Sequence, residues 1–214
     1  MTGVDRECSA RLVGPSRMLR FFALLLLPFA AFAGEREDAE MERLTEEIKR
    51  FSEQQLWQGV ERRYEEILAL EGVQVPRDVH LKAAYAARAV GDMAATLSRL
   101  ERAAAIEHTD EVDEWIRAIN EEYGRVQLAT EPPRSIELRC EVMPFATDQR
   151  KAVEFATKQL ADEGSFVGML PAGRYTLAEK PFEVIPGTGT LVELSTKELR
   201  AAKKQKRQEP AQEP

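Results

Sequence analysis

The chain has 214 residues, of which 37 are acidic and 30 basic, giving a formal charge of −7. An acidic body argues against nonspecific nucleic-acid binding, which depends on neutralising phosphates. Two cysteines, Cys8 and Cys140, supply no framework of the kind that staples small secreted domains.

The first apolar segment is Phe21–Ala33, FFALLLLPFAAFA, which follows Arg17 and Arg20 and ends in Ala31-Phe32-Ala33. A positive start, a short apolar run and an A-x-A end mark a secretory signal peptide. The run is thirteen residues long, short of the roughly 20 needed to span a bilayer. Residues 1–33 therefore read as leader and signal peptide, cleaved near Ala33/Gly34. Translation is expected to begin at Met18, because Met18-Leu19-Arg20 lead straight into the run while Asp5 and Glu7 lie upstream. The rival reading is a longer leader or an uncleaved anchor. The expected location is periplasmic or secreted, with no transmembrane span after cleavage. Removing the leader takes away four basic and two acidic residues and moves the formal charge to −9. Cys140 is then the one remaining cysteine, so no intramolecular disulfide can form.

Glu35–Arg125 carries 22 acidic and 13 basic residues and reads as helical. Met41, Leu44, Ile48 and Phe51 form one apolar stripe at helical spacing. Leu56, Val60, Tyr64, Ile67 and Leu68 form a second, ended by Gly72. Pro76 and Asp78 restart the chain, and Val79, Ala83, Ala86, Ala87 and Val90 form a third face closed at Gly91-Asp92. Met93, Leu97, Leu100, Ala103 and Ala104 make the fourth. A fifth helix, capped at Thr109 or Asp110, has Val112, Trp115, Ile116, Ile119 and Tyr123 on its face. The alanines around position 85 let two helix axes approach closely. Leu68–Glu71 aligns with Ala104–Glu107 at an offset of 36, close to a helix-turn-helix repeat of about 34 residues.

The segment AAYAARAVGDMAATLSRLERAAAIE, Ala83–Glu107, resembles a tetratricopeptide repeat, and Leu56–Gly72 looks like the second helix of a preceding one. The proline expected near the repeat end is replaced by Glu107-His108-Thr109. An ordinary helical bundle is the plainer alternative. The resemblance implies a helical groove that holds a peptide or helix. Trp57 and Trp115 fall beside apolar stripes, where core packing is the default. As groove anchors they would be energetic hot spots, with Arg62 and Arg63 as groove charges and Arg88 and Arg99 as weaker ones.

Thr130-Glu131-Pro132-Pro133 reads as a linker, since two prolines bar helix. From Ser135 the period becomes two: Ile136, Leu138, Cys140 and Val142 alternate with Glu137, Arg139, Glu141 and Met143. Turn signals at Glu163-Gly164, Pro171-Ala172-Gly173 and Pro186–Gly189 separate short strand candidates at 166–170, 174–178, 182–185 and 190–194. Gly173 reads as a hairpin corner. Residues 148–164 support two readings, a strand pair around Ala152–Ala156 or a helix capped by Asp148 and Gly164. Gly164–Gly187, with its LPAGRY, is similar to small exported β-sandwiches of the carboxypeptidase-regulatory-like and PEGA type. That resemblance implies a noncatalytic, structural or adhesive role, and tilts residues 148–164 toward strand. From Thr196 the tail is basic, with a net charge of +3. Lys203, Lys204, Lys206 and Arg207 are its candidate contacts with an anionic surface.

His80 and His108 stand 28 residues apart on different predicted elements, unlike a helical zinc pair at i, i+4. His80 is expected on a helix surface and His108 in a turn. Cys140 alternates with apolar residues and is expected to pack as a small hydrophobe. The acidic cluster Asp110–Glu114 lacks the central glycine of a calcium loop and suits a helix N-terminus. No phosphate loop and no nucleophile elbow occurs. The expectation is an α+β protein with no catalytic, cofactor-binding or metal-binding residues. A helical-repeat domain of about five helices spans 35–128, a linker 129–134, a small β-rich, sandwich-like domain 135–195, and a disordered basic tail 196–214. The expected function is a non-enzymatic adaptor of a bacterial cell envelope whose helical groove binds a protein or peptide. The alternative is an envelope structural protein whose β domain binds glycan or cell wall.

Overall fold

The computed structural model describes residues 27–131, 133, 135–195 and 197–198, with side chains from residue 36 onward. The leader as far as residue 26 and the basic tail from residue 199, including Lys203, Lys204, Lys206 and Arg207, lie outside the described residues. No described helix is long and apolar enough to cross a membrane. The architecture is α+β, with most helices preceding most strands.

Helix α1 (Leu27–Glu53) carries the first apolar stripe. Helix α2 (Trp57–Leu68) lays Val60, Tyr64 and Ile67 against it. Helix α3 (Arg77–Val90) adds Val79, Ala83 and Ala86 to the same cluster. Two residues join α3 to α4 (Met93–Ile106), and each has a separate task. Gly91 adopts a left-handed φ of 96° that ends α3. Asp92 caps α4 by accepting the Ala95 N–H at 2.9 Å. Helix α5 (Asp110–Glu122) opens with Asp110, Glu111 and Asp113, placing negative charge at the positive end of its dipole.

The sequence reading carries helix through Arg125 and places a linker at 129–134. Instead α5 stops at Glu122, and strand β1 (Tyr123–Glu131) begins with no intervening loop. Val126, Leu128 and Thr130 point inward while Arg125, Gln127 and Glu131 face water. That alternation fits a strand buried on one face and would expose apolar groups in a helix. Residues 129–131, read from the sequence as the start of a linker, therefore belong to β1. Strand β2 (Leu138–Cys140) follows, then helix α6 (Thr147–Glu163). Of the two readings of 148–164, the helix is the one found, and the tilt toward strand is corrected. Ala152, Val153, Ala156 and Leu160 are its buried face, and Gly164 ends it in a left-handed cap.

The remaining strands are β3 (Ser165–Pro171), β4 (Gly173–Leu177), β5 (Lys180–Val184) and β6 (Gly189–Ser195). They form two three-stranded sheets, ordered β3-β1-β6 and β2-β4-β5. β1 is central in the first, antiparallel to β3 (Leu128 opposite Phe166) and parallel to β6 (Leu128 opposite Val192). Gly173 is thus not a hairpin corner: the chain changes sheet there, from β3 to β4. The true hairpin is β4–β5, turning on Ala178 and Glu179. Both hold positive φ, 44° and 70°, the requirement of a two-residue turn that follows strand twist. Inner faces of both sheets and α6 enclose one core, containing Leu128, Leu160, Leu170, Tyr175 and Leu177. A second core joins the halves: Met169 of β3, Ala152 of α6 and Tyr123 of β1 pack among Leu97, Leu100 and Ile119 of the helices.

Candidate interaction surfaces

The predicted groove residues do not converge. Trp57 is half-buried and packs against the α1–α3 core, together with Phe51 and Met41. Arg63 turns back on α1 and α2, with Nε 2.7 Å from Glu47 and Nη1 2.6 Å from Glu66. Arg62 points elsewhere, into a charged cleft between α2 and α6 that also holds Glu65, Lys151, Lys158 and Asp162. Trp115 lies in the other helical core, against Tyr85 with ring centroids 4.9 Å apart. The Arg88 guanidinium sits 5.0 Å from the Trp115 ring and 2.5 Å from Asp148 of α6. Arg88 is therefore a strut between the two halves.

Arg99 is corrected more strongly. It is only 8% exposed. It donates to both carboxylate oxygens of Glu61, at 2.5 and 2.6 Å, and to the Ala83 carbonyl at 2.7 Å. Its guanidinium also covers the Tyr64 ring at 4.6 Å. His80 is not on a helix surface: it is 6% exposed, with Nδ1 2.8 Å from the Tyr64 hydroxyl. Burial, then Arg102 and Arg99, hold its pKa below the usual imidazole value. In the neutral tautomer with its proton on Nε2, the ring accepts the Tyr64 O–H at Nδ1. This polar cluster ties α2, α3 and α4 together. The sequence offered no signal for it, because no spacing rule links Glu61, His80 and Arg99.

Cys140 is half-buried against the sheet core, its thiol 3.1 Å from the Val142 carbonyl. His108 is exposed in the α4–α5 turn, 3.6 Å from Asp113. Among the described residues, the side-chain contacts of His80 and His108 run to Tyr64 and Asp113, and that of Cys140 to the Val142 carbonyl. Tyr123, at the α5–β1 junction, has its hydroxyl pushed up to about 12 by burial and then by Glu122 and Asp148. Tyr175 is raised as well, chiefly by burial, and donates to the Pro171 carbonyl at 2.8 Å. Both phenols therefore stay protonated at neutral pH, and the Tyr175 hydroxyl is a structural donor. Among the described residues, no group of three or more His, Cys, Asp or Glu side chains is placed to hold a metal ion.

A groove emerges instead where α4 crosses the outer face of the β3-β1-β6 sheet. Its volume is about 540 Å³. Ala94, Ser98 and Glu101 form the helical wall, and Arg125, Gln127, Val167 and Leu191 line the sheet side. Met169, two residues along β3 from Val167 and on the same face, is covered by α4, whereas Val167 is 74% and Leu191 63% exposed. The helix thus covers one end of this sheet face and leaves the other open. The signal for it was the alternation of β1, once that segment is read as strand. No protein-family model, curated protein or solved structure matches the chain.

Proposed function

We propose that this is an exported, non-enzymatic adaptor of a bacterial cell envelope, which binds a peptide segment of a partner protein in the groove between α4 and the open sheet face. The observation that carries the reading is the pairing of bare Val167 and Leu191 with a polar rim of Ser98, Glu101, Arg125 and Gln127. Apolar burial on the floor supplies affinity, and the Glu101 and Arg125 charges select the partner. The apolar leader and the tetratricopeptide-like spacing of α3 and α4 support export and protein binding. Relative to the sequence expectation, the groove moves from the helices alone to the helix–sheet boundary.

The test is photocrosslinking in the native cell from a reactive residue at Gln127, an exposed position. A discrete protein adduct is expected, lost in Val167→Asp with Leu191→Asp while the melting temperature holds. An adduct that survives both substitutions, or none at all, overturns the reading.

A further inference from the structure

The β2–α6 connection carries the most exposed large apolar side chain among the described residues. Phe145 is 98% exposed, Val142 73% and Met143 49%. All three lie within Glu141–Ala146. The loop is held at its base. The Glu141 N–H donates to the Arg174 carbonyl at 2.9 Å, and the Arg150 N–H donates to the Ala146 carbonyl at 3.0 Å. Exposed connections ordinarily carry small or polar residues, and a cluster of bare apolar groups marks a contact surface. Pro144 sits between Met143 and Phe145 and lacks an N–H, which leaves one donor fewer to desolvate on insertion.

Charge identifies the partner. Arg174 borders the loop and Arg150 lies in the first turn of α6; both are exposed, and neither has an ion pair among the described residues. Of the neighbouring charges, Asp148 is paired with Arg88 at 2.5 Å and Arg139 with Glu137 at 2.9 Å, while Glu183 stands opposite Arg174 across β4–β5 and Glu154 lies one turn beyond Arg150. Glu141 is the single acidic side chain of the loop itself. Bare apolar groups with free cations at their base follow the order of a bilayer interface, acyl boundary first and headgroup phosphates behind. A protein pocket accepting one aromatic anchor would account for Phe145 but not for Val142 and Met143.

We propose that the Glu141–Ala146 loop inserts into the interface of an anionic phospholipid bilayer, with Val142, Met143 and Phe145 entering the acyl boundary and Arg150 and Arg174 meeting phosphates. None of these residues lines the peptide groove, so the inference stands apart from the adaptor reading. The protein isolated from its native envelope is mixed with vesicles of phosphatidylethanolamine and phosphatidylglycerol, or of phosphatidylcholine alone, and sedimented. Phe145→Ser with Met143→Ser lowers binding to the phosphatidylglycerol vesicles by about tenfold. Arg150→Gln with Arg174→Gln lowers it by about tenfold and flattens its salt dependence. Melting temperatures stay unchanged, since every substituted side chain faces solvent. A local probe separates the loop from the apolar leader: in Phe145→Trp, brominated lipid quenches fluorescence beyond the level reached by Trp57 and Trp115 in the parent. Unchanged sedimentation in the serine variant, or no added quenching, overturns the proposal. So does loss of a protein crosslink in that variant while vesicle binding persists, which would assign the loop to a protein partner.

Discussion

The helical half and the sheet half are built on opposite principles of contact. In the first, each helix packs on the next, and only two residues separate α3 from α4. In the second, the central strand at 123–131 finds its partners at 165–171 and 189–195. Local packing leaves its record in stripe spacing, whereas long-range pairing does not. Yet the halves share a core at Met169, Ala152 and Tyr123, so the difference in construction is not a division in stability.

The strongest way to break that comparison is at Gly91. Its φ of +96° already disfavours any side chain, and a Cβ there would lie 2.3 Å from the Lys151 carbonyl oxygen of α6. If the halves were independent, Gly91→Ala would cost only the left-handed penalty of about 1–2 kcal/mol. With α6 seated against the turn, we expect a loss of about 3 kcal/mol, read by urea denaturation. A single transition, coincident by circular dichroism and tryptophan fluorescence, is expected for both proteins. Two transitions would separate the halves.

Acid sharpens the contrast next. The sheet half contains no histidine, while His80 is buried among Tyr64, Arg99 and Arg102. Its folded pKa is depressed, so the unfolded chain takes up the proton first as pH falls. Stability is therefore expected to decline below about pH 6.5. The slope of the denaturation midpoint against pH should be shallower in His80→Gln, even if that variant is less stable throughout. An unchanged slope would place the acid sensitivity elsewhere. The smallest effect is expected in the β4–β5 turn. Glu179 holds a φ of +70°, so Glu179→Gly should stabilise by about 0.5–1 kcal/mol, measured by thermal melting.

The same contrast explains what could be read in advance. The stripes of α1 to α4, the Gly91-Asp92 turn and four strand segments after residue 164 follow from period and punctuation. The α5–β1 junction was missed because Tyr123 fits the helical face and the alternation Val126-Leu128-Thr130 begins only after it. Residues 148–164 form a helix although they lie between strands: four apolar residues at helical spacing and a glycine cap outweigh a resemblance in neighbouring segments. Only one wall of the groove is legible, in the alternation of β1, because α4 and β3 are brought together only by the fold. The arginines depart from the expected groove for a related reason. Arg63, Arg88 and Arg99 satisfy carboxylates that lie in other turns or other elements, which a one-dimensional reading cannot pair.

Helix α5 passes into β1 without a spacer, and this has a mechanical consequence. There is no joint about which one half could swing to search for its target. Anything seated on the helices and anything touching the sheet are held at one separation and one angle. Simultaneous engagement would then be governed by whether the two targets already stand at that spacing, and tether length would play no part. With two targets bound, such a body would act as a gauge of distance, rewarding a matched pair and ignoring a mismatched one.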